Sequence, residues 1–390
     1  MTDHDSPAQV ERVPAEYLRR RQAAAAARLV ALDLDSLAVT APAQKGYLSG
    51  FTTGVNIAPG GAVLVTRPGR EDVYVTGGTD YLECRTALEP EGFIVHPYYY
   101  ARGQNVHTEL GTMVGRLGLR RVGVEAKYTT AKQLGELEAV LAPHGAAVVV
   151  VGEVVDPLRE VKDAWEVEQI RRAVAVSGAA LAGVLELVRP GVSEWDLAVE
   201  LERRLVAGGT GSPRVAFQSI VASGPRSALP HGAATRRVLA AGDLLTFDFG
   251  ATVNGYCADV TRTVCVGPAG EQQRRVYEAV VRAKDAAIAL MLPGRARRDS
   301  AAAAASVIED YGLERYLAHG TGGHGIGLEV HEGPSTSSDG EWVAGNVCTL
   351  EPGLYIPGWG GVRVEDDVLI TGDGQEILTR AIECGRLLEL

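Results

Sequence analysis

Two segments of the chain repeat one short pattern of residues. Residues 244–264 read LLTFDFGATVNGYCADVTRTV, and residues 347–370 read VCTLEPGLYIPGWGGVRVEDDVLI. Near its start each has threonine, an acid and glycine at alternate positions, so that Asp248 and Glu351 are equivalent. Each then returns after a glycine turn to a second acid, Asp259 or Glu365. Apolar runs on either side of such turns predict two β-hairpins, and internal similarity of this kind suggests two halves that face each other.

A pair of helices is predicted before each hairpin. An amphipathic helix begins near Asp163 and a second covers residues 193–207, while residues 270–291 and 298–311 form the other pair. We therefore expect a duplicated helix-helix-hairpin unit over residues 160–385.

The N-terminal part of the chain alternates between short strands and helices. Residues 1–13 are expected to be a disordered tail, and a helix follows over residues 14–33. The last strand predicted in this part, AAVVVVGEVV, is a nearly continuous apolar run, which is typical of a buried strand. Because 390 residues exceed one ordinary core, we predict an α/β domain over residues 14–155 and a second domain over residues 156–390.

A glycine-rich segment between the hairpins, HGTGGHGIGLEVHE at residues 319–332, contains three of the eight histidines. Its glycines disfavour a helix and allow the backbone to pass close to a ligand or another strand. Leu328 and Val330 predict a short strand that directs Glu329 and His331 to one face. The alternative is a surface glycine loop whose histidines have no role.

Four acids and one histidine from these segments form a candidate metal site: Asp248, Asp259, His324, Glu351 and Glu365. A carboxylate in a buried strand costs several kcal/mol unless a cation or donors compensate it, and arginines nearby in sequence could do so for a single acid. Four carboxylates match the charge of two divalent cations. Oxygen-rich ligation without thiolate favours Mn²⁺, Co²⁺ or Fe²⁺ over a structural zinc, and paired metals with a bridging hydroxide are typical of hydrolases.

Composition excludes several classes of partner. The formal net charge is −11 and the chain has no long basic run, which argues against nucleic acid and anionic membranes as partners. No stretch reaches the roughly 18 apolar residues of a membrane span. The five cysteines form no CxxC pair and are odd in number, as expected in a reducing compartment. We therefore predict a cytoplasmic protein.

The motifs SGPRSALPHG, TFDFGATVNGYCADVTRT, GHGIGLEVHEGP, TLEPGLYIPG and GVRVEDDVLIT resemble those of the proline-specific metallopeptidases with the pita-bread fold, Xaa-Pro dipeptidase (prolidase) and aminopeptidase P. The resemblance covers residues 14–385. It implies an α+β protein with a C-terminal pita-bread domain and a smaller creatinase-like N-terminal domain. It also implies a homodimer and, as substrate, a small peptide with proline at its second position.

The resemblance implies a role for each ligand. Asp248 and Asp259 would bind one metal, His324 and Glu351 the other, and Asp259 and Glu365 would bridge the two. Mn²⁺ or Co²⁺ is the expected ion, with Fe²⁺ or Zn²⁺ as alternatives.

The resemblance also implies roles beyond metal binding. His231 would contact substrate and the bridging hydroxide, and His331 would hydrogen-bond the scissile carbonyl. Glu351 would carry a proton to the leaving nitrogen, and Arg363 would brace the ligands. Family members usually have a histidine four residues before the ligand histidine, whereas His319 and His324 are five apart because of one additional glycine. The substrate contact expected of His319 depends on how that glycine is accommodated.

Other functions of the same scaffold remain open at this point. One is a metal-dependent lyase or hydrolase of a small zwitterionic metabolite, another is a metal-free creatinase, and a third is a non-catalytic pita-bread binding module. The complete set of ligands argues against the last two. Methionine aminopeptidase is disfavoured because those enzymes lack the N-terminal α/β domain.

Overall fold

The computed structural model describes residues 11–51, 60–210, 214–317 and 321–390. His319 and most of the predicted tail lie outside the described residues. The described residues divide into two compact units, one within residues 11–159 and the other within residues 160–390.

The N-terminal unit contains six helices among its described residues: α1 (Ala15–Ala31), α2 (Pro42–Ser49), α3 (Tyr81–Leu88), α4 (Val106–Leu117), α5 (Ala131–Leu141) and α6 (Asp156–Arg159). Its strands are β1 (Ser36–Val39), β2 (Ala62–Thr66), β3 (Val73–Gly77), β4 (Ile94–Tyr98), β5 (Arg121–Glu125) and β6 (Ala147–Val151). Side chains fix where two of the helices begin. Asn105 and Thr130 each accept a hydrogen bond from the helix backbone and complete capping boxes at α4 and α5.

The six strands form one mixed sheet in the order β4-β3-β2-β1-β5-β6. Strands β1, β2 and β3 pair antiparallel, whereas β3 with β4, β1 with β5 and β5 with β6 pair parallel. Apolar residues of the inner strands pack with Leu110, Met113 and Leu141 of α4 and α5 to form the core. The strand predicted within residues 146–155 is present as β6, but its predicted burial is wrong, because β6 lies at the sheet edge and leaves Val150 52% exposed.

The C-terminal unit contains two helix pairs, α7 (Ala164–Leu185) with α8 (Glu194–Gly208) and α9 (Glu271–Ile288) with α10 (Arg297–Asp310). Each pair precedes one predicted hairpin, as the sequence indicates. Asp163 starts α7 by accepting from Glu166 N at 2.9 Å, while the Glu166 carboxylate accepts from Asp163 N at 3.0 Å.

Eleven strands are found in the described part of this unit: β7 (Ile220–Ser223), β8 (Leu244–Phe249), β9 (Thr252–Val253), β10 (Tyr256–Cys257), β11 (Val260–Cys265), β12 (Val347–Leu350), β13 (Gly353–Ile356), β14 (Gly360–Arg363), β15 (Asp366–Ile370), β16 (Gln375–Ile377) and β17 (Leu388–Glu389). The first hairpin lies in a sheet of order β17-β11-β8-β7, with β9 and β10 at its tip. The second segment forms two ladders, β12-β15-β16 and β13-β14.

The core of this unit lies between α9, α10 and the second segment. Val280, Ala283 and Ala304 pack with Leu350 and Val368, all of them buried. This packing leaves the opposite ends of the two hairpins free to present polar side chains to a cavity. Across the described residues of the whole chain, none of the helices is both long and apolar enough to cross a membrane.

Candidate metal centre

The first hairpin carries two of the predicted ligands. Asp248 lies in β8 opposite Thr261 of β11, and Asp259 directly precedes β11. Both residues are buried, with 8% and 4% of their surface exposed. Strand pairing therefore holds two carboxylates in the protein interior.

The second segment carries the other two acids. Glu351 follows β12, and Glu365 lies between β14 and β15. The two hairpins meet at Thr261, whose carbonyl accepts from Glu365 N at 3.1 Å and whose hydroxyl donates to Glu365 Oε2 at 2.7 Å. The acids that the repeated pattern singled out thus belong to one site.

Two carboxylate oxygens of this site are buried without a donor. Asp259 Oδ1 and Glu365 Oε1 have no hydrogen-bond partner within the part of the chain that the structure describes. Burial raises the pKa of both carboxyls well above the ordinary range. The charges of Glu365 and Asp248 add to the effect on Asp259, and those of Glu351 and Asp248 to the effect on Glu365. An ionised carboxylate in such a place needs a cation.

His324 completes this cluster. One ligand atom each from Asp259, His324 and Glu365 lies within 4.8 Å of the others. The Nδ1 of His324 lies 3.1 Å from the carbonyl of Gly325, which can accept its proton. That tautomer turns the lone pair of Nε2 towards Asp259 Oδ2 at 3.6 Å and Glu351 Oε1 at 3.3 Å. Carboxylates and an imidazole lone pair that point at one another fit a divalent cation between them.

Glu351 and His324 pair directly in this structure. Burial opposes the charge of each group, but their mutual hydrogen bond and charge raise the pKa of His324 and lower the pKa of Glu351. The Glu351 side chain is 31% exposed and lines the cavity. Glu351 is therefore ionised at neutral pH and accessible to a ligand.

Arg363 contacts Asp248 rather than the three clustered ligands. Its Nη2 donates to Asp248 Oδ2 at 2.5 Å, and its Nη1 donates to the Tyr355 hydroxyl at 2.7 Å and the Pro230 carbonyl at 2.9 Å. Burial raises the pKa of Asp248, and the Arg363 charge opposes that shift. A guanidinium bound on several sides fixes the carboxylate in place.

Two further histidines line the same cavity. The His331 ring lies 4.1 Å from the His324 ring at an angle of 70°. Burial lowers the pKa of His331, and the charge of His324 lowers it further, so this imidazole is neutral at pH 7. His231 is exposed and also lines the cavity.

The glycine-rich segment passes very close to β12. A Cβ at Gly323 would lie 1.9 Å from the Thr349 carbonyl, so no larger residue fits there. Thr349 N donates to the His324 carbonyl at 2.7 Å, and the Thr349 hydroxyl accepts from His324 N at 3.2 Å. The predicted short strand at Leu328 and Val330 is wrong. Residues 327–331 form bends, and isolated bridges at residues 325 and 332 close the segment into a loop.

Two contacts around the site were not anticipated from the sequence. The Lys162 ammonium, buried at the start of the unit, lies 2.9 Å from Glu332 Oε1 and anchors the loop beside His331. Asp367 accepts from Asp259 N at 3.2 Å, while its Oδ1 has no hydrogen-bond partner among the described residues. Burial raises the pKa of Asp367 to about 7. A third acid in the run VEDDV is the signal that could have pointed to it.

The site opens into a cavity of 910 Å³. Its lining combines four of the predicted ligand acids and three histidines with apolar side chains such as Phe217, Ile220 and Leu328. Convergent polar groups in a largely apolar cavity are typical of a binding site for a small molecule or short peptide.

Two family models match the chain. Residues 168–372 match metallopeptidase family M24, and residues 21–161 match the creatinase/prolidase N-terminal domain. Among curated relatives, the uncharacterized peptidase YqhT of Bacillus subtilis is 35% identical over 352 residues, which are 90% of this chain and 95% of that protein. The Xaa-Pro dipeptidase of Pyrococcus furiosus is 40% identical over 232 residues, which are 59% of this chain and 66% of that protein.

Solved structures agree with these matches. The Xaa-Pro dipeptidase from Bacillus anthracis has a TM-score of 0.86 at 30% identity, over 96% of this chain and 100% of that one. The prolidase from Pyrococcus furiosus has a TM-score of 0.78 at 29% identity, over 91% of this chain and 98% of that one. The predicted α+β fold, a pita-bread domain preceded by a creatinase-like domain, is confirmed. The chain belongs to metallopeptidase family M24 and is a metallopeptidase that uses divalent metal ions.

Proposed function

We propose that this metallopeptidase hydrolyses the peptide bond before a proline at the second position of a small peptide, as an Xaa-Pro dipeptidase or an aminopeptidase of the P type. The names of the relatives from Pyrococcus furiosus and Bacillus anthracis support this substrate class. We further propose that the catalytic domain covers residues 156–390, after a creatinase-like domain over residues 14–155.

One observation carries the proposal that two metals are used. Asp259 Oδ1 and Glu365 Oε1 are buried without donors in the described part of the chain, within reach of His324. The four carboxylates and the Arg363 guanidinium that binds Asp248 have a net charge of −3. One divalent cation would leave a negative charge unbalanced, whereas two cations would compensate all of it.

The resemblance to the proline-specific metallopeptidases implies how these residues would hold the cations. Asp248 and Asp259 would bind one cation, His324 and Glu351 would bind the other, and Asp259 and Glu365 would be shared between them. In the bound state Asp248 keeps its bond to Arg363, because a carboxylate has enough lone pairs for both partners. Arg363 thus holds the Asp248 carboxylate in position. Two cations held in this way supply Lewis acidity, which lowers the pKa of a water molecule and polarises the substrate carbonyl.

Glu351 moves the proton. Its lowered pKa keeps it ionised at pH 7, and its exposed edge faces the cavity. It can therefore accept a proton from the attacking water and deliver it to the proline nitrogen. That nitrogen belongs to a tertiary amide and leaves poorly until it is protonated.

The two histidines act on the substrate. His331 is neutral at pH 7 and can donate a ring N–H to the carbonyl oxygen as negative charge develops on it. His231 is exposed and lines the same cavity, where the resemblance implies that it would contact the substrate and the nucleophile. The substrate contact of His319, assembly as a homodimer, a cytoplasmic location and the preference for Mn²⁺ or Co²⁺ over Fe²⁺ or Zn²⁺ stay predictions.

The test is hydrolysis of Ala-Pro and Ala-Pro-Ala by protein loaded with Mn²⁺ or Co²⁺, with Ala-Ala as the control peptide. We expect cleavage of Ala-Pro, Ala-Pro-Ala or both, at least tenfold faster than of Ala-Ala. The ratio of the two proline peptides separates the dipeptidase from the aminopeptidase.

Metal content is measured on the same samples. If two equivalents of metal are bound and neither proline peptide is cleaved, the proposal fails. The alternative of a small zwitterionic metabolite as substrate would then take its place.

A further inference from the structure

Two arginines line the cavity of the metal centre, Arg214 and Arg363. Arg363 donates to Asp248, Tyr355, the Thr261 hydroxyl and the Pro230 carbonyl. It is 4% exposed, and most of its donors are bound within the protein. Arg214 is only half-buried, and its Nε has no hydrogen-bond partner among the described residues.

The guanidinium of Arg214 has no anionic partner among the described residues. Its Nε is buried and has no hydrogen-bond partner, and no carboxylate forms an ion pair with the side chain, across the residues that the structure describes. An arginine keeps its charge at any physiological pH because its pKa exceeds 12. A positive charge that faces a cavity without a counter-ion is most simply explained by an anionic group of the ligand.

The backbone holds Arg214 in a fixed position beside the metal ligands. The Thr252 hydroxyl donates to the Arg214 carbonyl at 3.0 Å, and Val215 bridges to Ala251. Ala216 N donates to the Gly250 carbonyl at 2.9 Å. These contacts attach Arg214 to the end of β8, two to four residues beyond Asp248 in the first hairpin.

Arg214 shares the cavity with the other arm of that hairpin. Cys257, two residues before Asp259, lines the cavity together with Arg214 and with Asp259 itself. Arg214 therefore belongs to the same cavity as the metal centre.

We propose that Arg214 binds the C-terminal carboxylate of the substrate and thereby favours dipeptides over longer peptides. This inference rests on the proposed function, since it assumes that a peptide occupies the cavity. A dipeptide carries its carboxylate only one residue from the scissile bond, so an arginine in the lining of the same cavity can pair with it. A guanidinium pairs with a carboxylate through two parallel hydrogen bonds.

The test compares substrates that differ only in this charge. Ala-Pro and its C-terminal amide are hydrolysed by the metal-loaded wild type, by Arg214→Ala and by Arg214→Lys. We expect Arg214→Ala to raise KM for Ala-Pro by about 10- to 100-fold, the usual effect of losing a hydrogen-bonded charge. KM for the amide should change less than threefold. Arg214→Lys should recover part of the loss, because it keeps the charge but not the two-pronged geometry.

A binding measurement makes the result independent of turnover. Calorimetry with L-proline and L-prolinamide on metal-loaded protein should show that Arg214→Ala weakens the acid and leaves the amide unchanged. Arg203→Ala is the matched control, because Arg203 is an exposed arginine on α8 that binds Glu200 outside the cavity. It should match the wild type throughout.

Two results would overturn this inference. One is an equal effect of Arg214→Ala on the acid and the amide, which indicates a structural role. The other is no effect on either, as expected if Arg214 pairs with an acid of the protein when substrate binds. Failure of the proposed function looks different: the wild type would cleave neither Ala-Pro nor its amide, while selective binding of L-proline would still depend on Arg214.

Discussion

Buried carboxylates occur in both units of the protein, but their surroundings differ. In the N-terminal unit Glu125 Oε1 accepts from Val154 N at 2.6 Å and from Val155 N at 3.0 Å. Asp156 there accepts from Gln44 at 2.9 Å, Lys127 at 2.6 Å and Tyr128 at 2.7 Å. In the C-terminal unit, Asp259 and Glu365 each keep one oxygen without a donor among the described residues. Donors of the protein satisfy the first pair, and a metal is expected to satisfy the second.

The run Glu365, Asp366 and Asp367 shows the same contrast within three residues. Asp366 is 2% exposed and is surrounded by cations and a hydroxyl: Arg262 at 2.8 Å, the Lys284 ammonium, and Thr379 at 2.6 Å. Its neighbours on both sides each have an oxygen without a partner in the described structure. Burial alone therefore does not identify a functional acid. The presence or absence of donors from the protein does.

The largest expected effect comes from Asp259→Asn. We expect the affinity for Mn²⁺ to fall by more than 100-fold and hydrolysis of Ala-Pro to fall by more than 10³-fold, since a proposed bridging ligand is lost. Because burial and neighbouring charges raise the pKa of Asp259, the ionised form destabilises the metal-free protein at pH 7.5. Without metal, the free energy of unfolding of the variant should therefore exceed that of the wild type by roughly 1–3 kcal/mol. The variant should then unfold at the higher temperature.

Asp366→Asn is the control for this experiment. It should destabilise the protein with or without metal by roughly 3–5 kcal/mol, because Arg262 would be left without its acid partner and the buried Lys284 would keep only the exposed Asp285. Calorimetry and thermal unfolding with and without Mn²⁺ measure both variants. If Asp259→Asn also destabilised the metal-free protein, Asp259 would be stabilised by the protein in the same way as Asp366. That result would contradict the proposed contrast between the two acids.

A smaller effect is expected from His331→Ala, which tests the roles within the metal centre. The ring packs against His324 but is not one of the three clustered ligands. Metal affinity should change less than about threefold, and kcat for Ala-Pro should fall by about 10²- to 10³-fold, the usual cost of losing a donor to a developing oxyanion. Metal titration and steady-state kinetics separate the two outcomes. An equal loss of metal affinity would make His331 a ligand.

The smallest effect is expected in the N-terminal unit, from Asp156→Asn. Burial favours the neutral acid, but hydrogen bonds from Lys127, Tyr128 and Gln44 lower the pKa of Asp156 below its ordinary value. The variant should lose about 1 kcal/mol of stability at pH 7, since Lys127 is half exposed and solvent screens its charge. Metal binding and kcat should be unchanged.

The pH dependence of that loss follows from the sign of the shift. A lowered pKa in the folded state contributes stability above the ordinary value of about 3.9, and this contribution is lost as the pH falls through the folded pKa. The difference in unfolding free energy between wild type and Asp156→Asn should be constant from pH 7 to about 5 and should shrink below about pH 4. Urea unfolding at several pH values measures it, and a difference that grew on acidification would contradict the assigned cause.

The sequence determined the architecture and the residue types of the site. Repetition of one acid pattern on two hairpins is a local property, and it was enough to identify Asp248, Asp259, Glu351 and Glu365 as candidate ligands. The helix pairs followed from periodicity and from capping residues such as Asp163, because neighbours in sequence decide both. The family was recognisable from its motifs for the same reason.

Only the tertiary structure decided which polar groups meet. Whether a buried oxygen has a donor depends on residues about 100 positions apart, as when Thr261 reaches Glu365. The ion pair between Lys162 and Glu332 likewise joins residues that are far apart in the sequence. For Arg214, the neighbours in the chain do not show that its Nε lacks a hydrogen-bond partner among the described residues. The wrongly predicted strand at Leu328 has this origin as well. Alternation favoured a strand, but strands form only where another strand offers its hydrogen bonds, and this loop closes on its own residues instead.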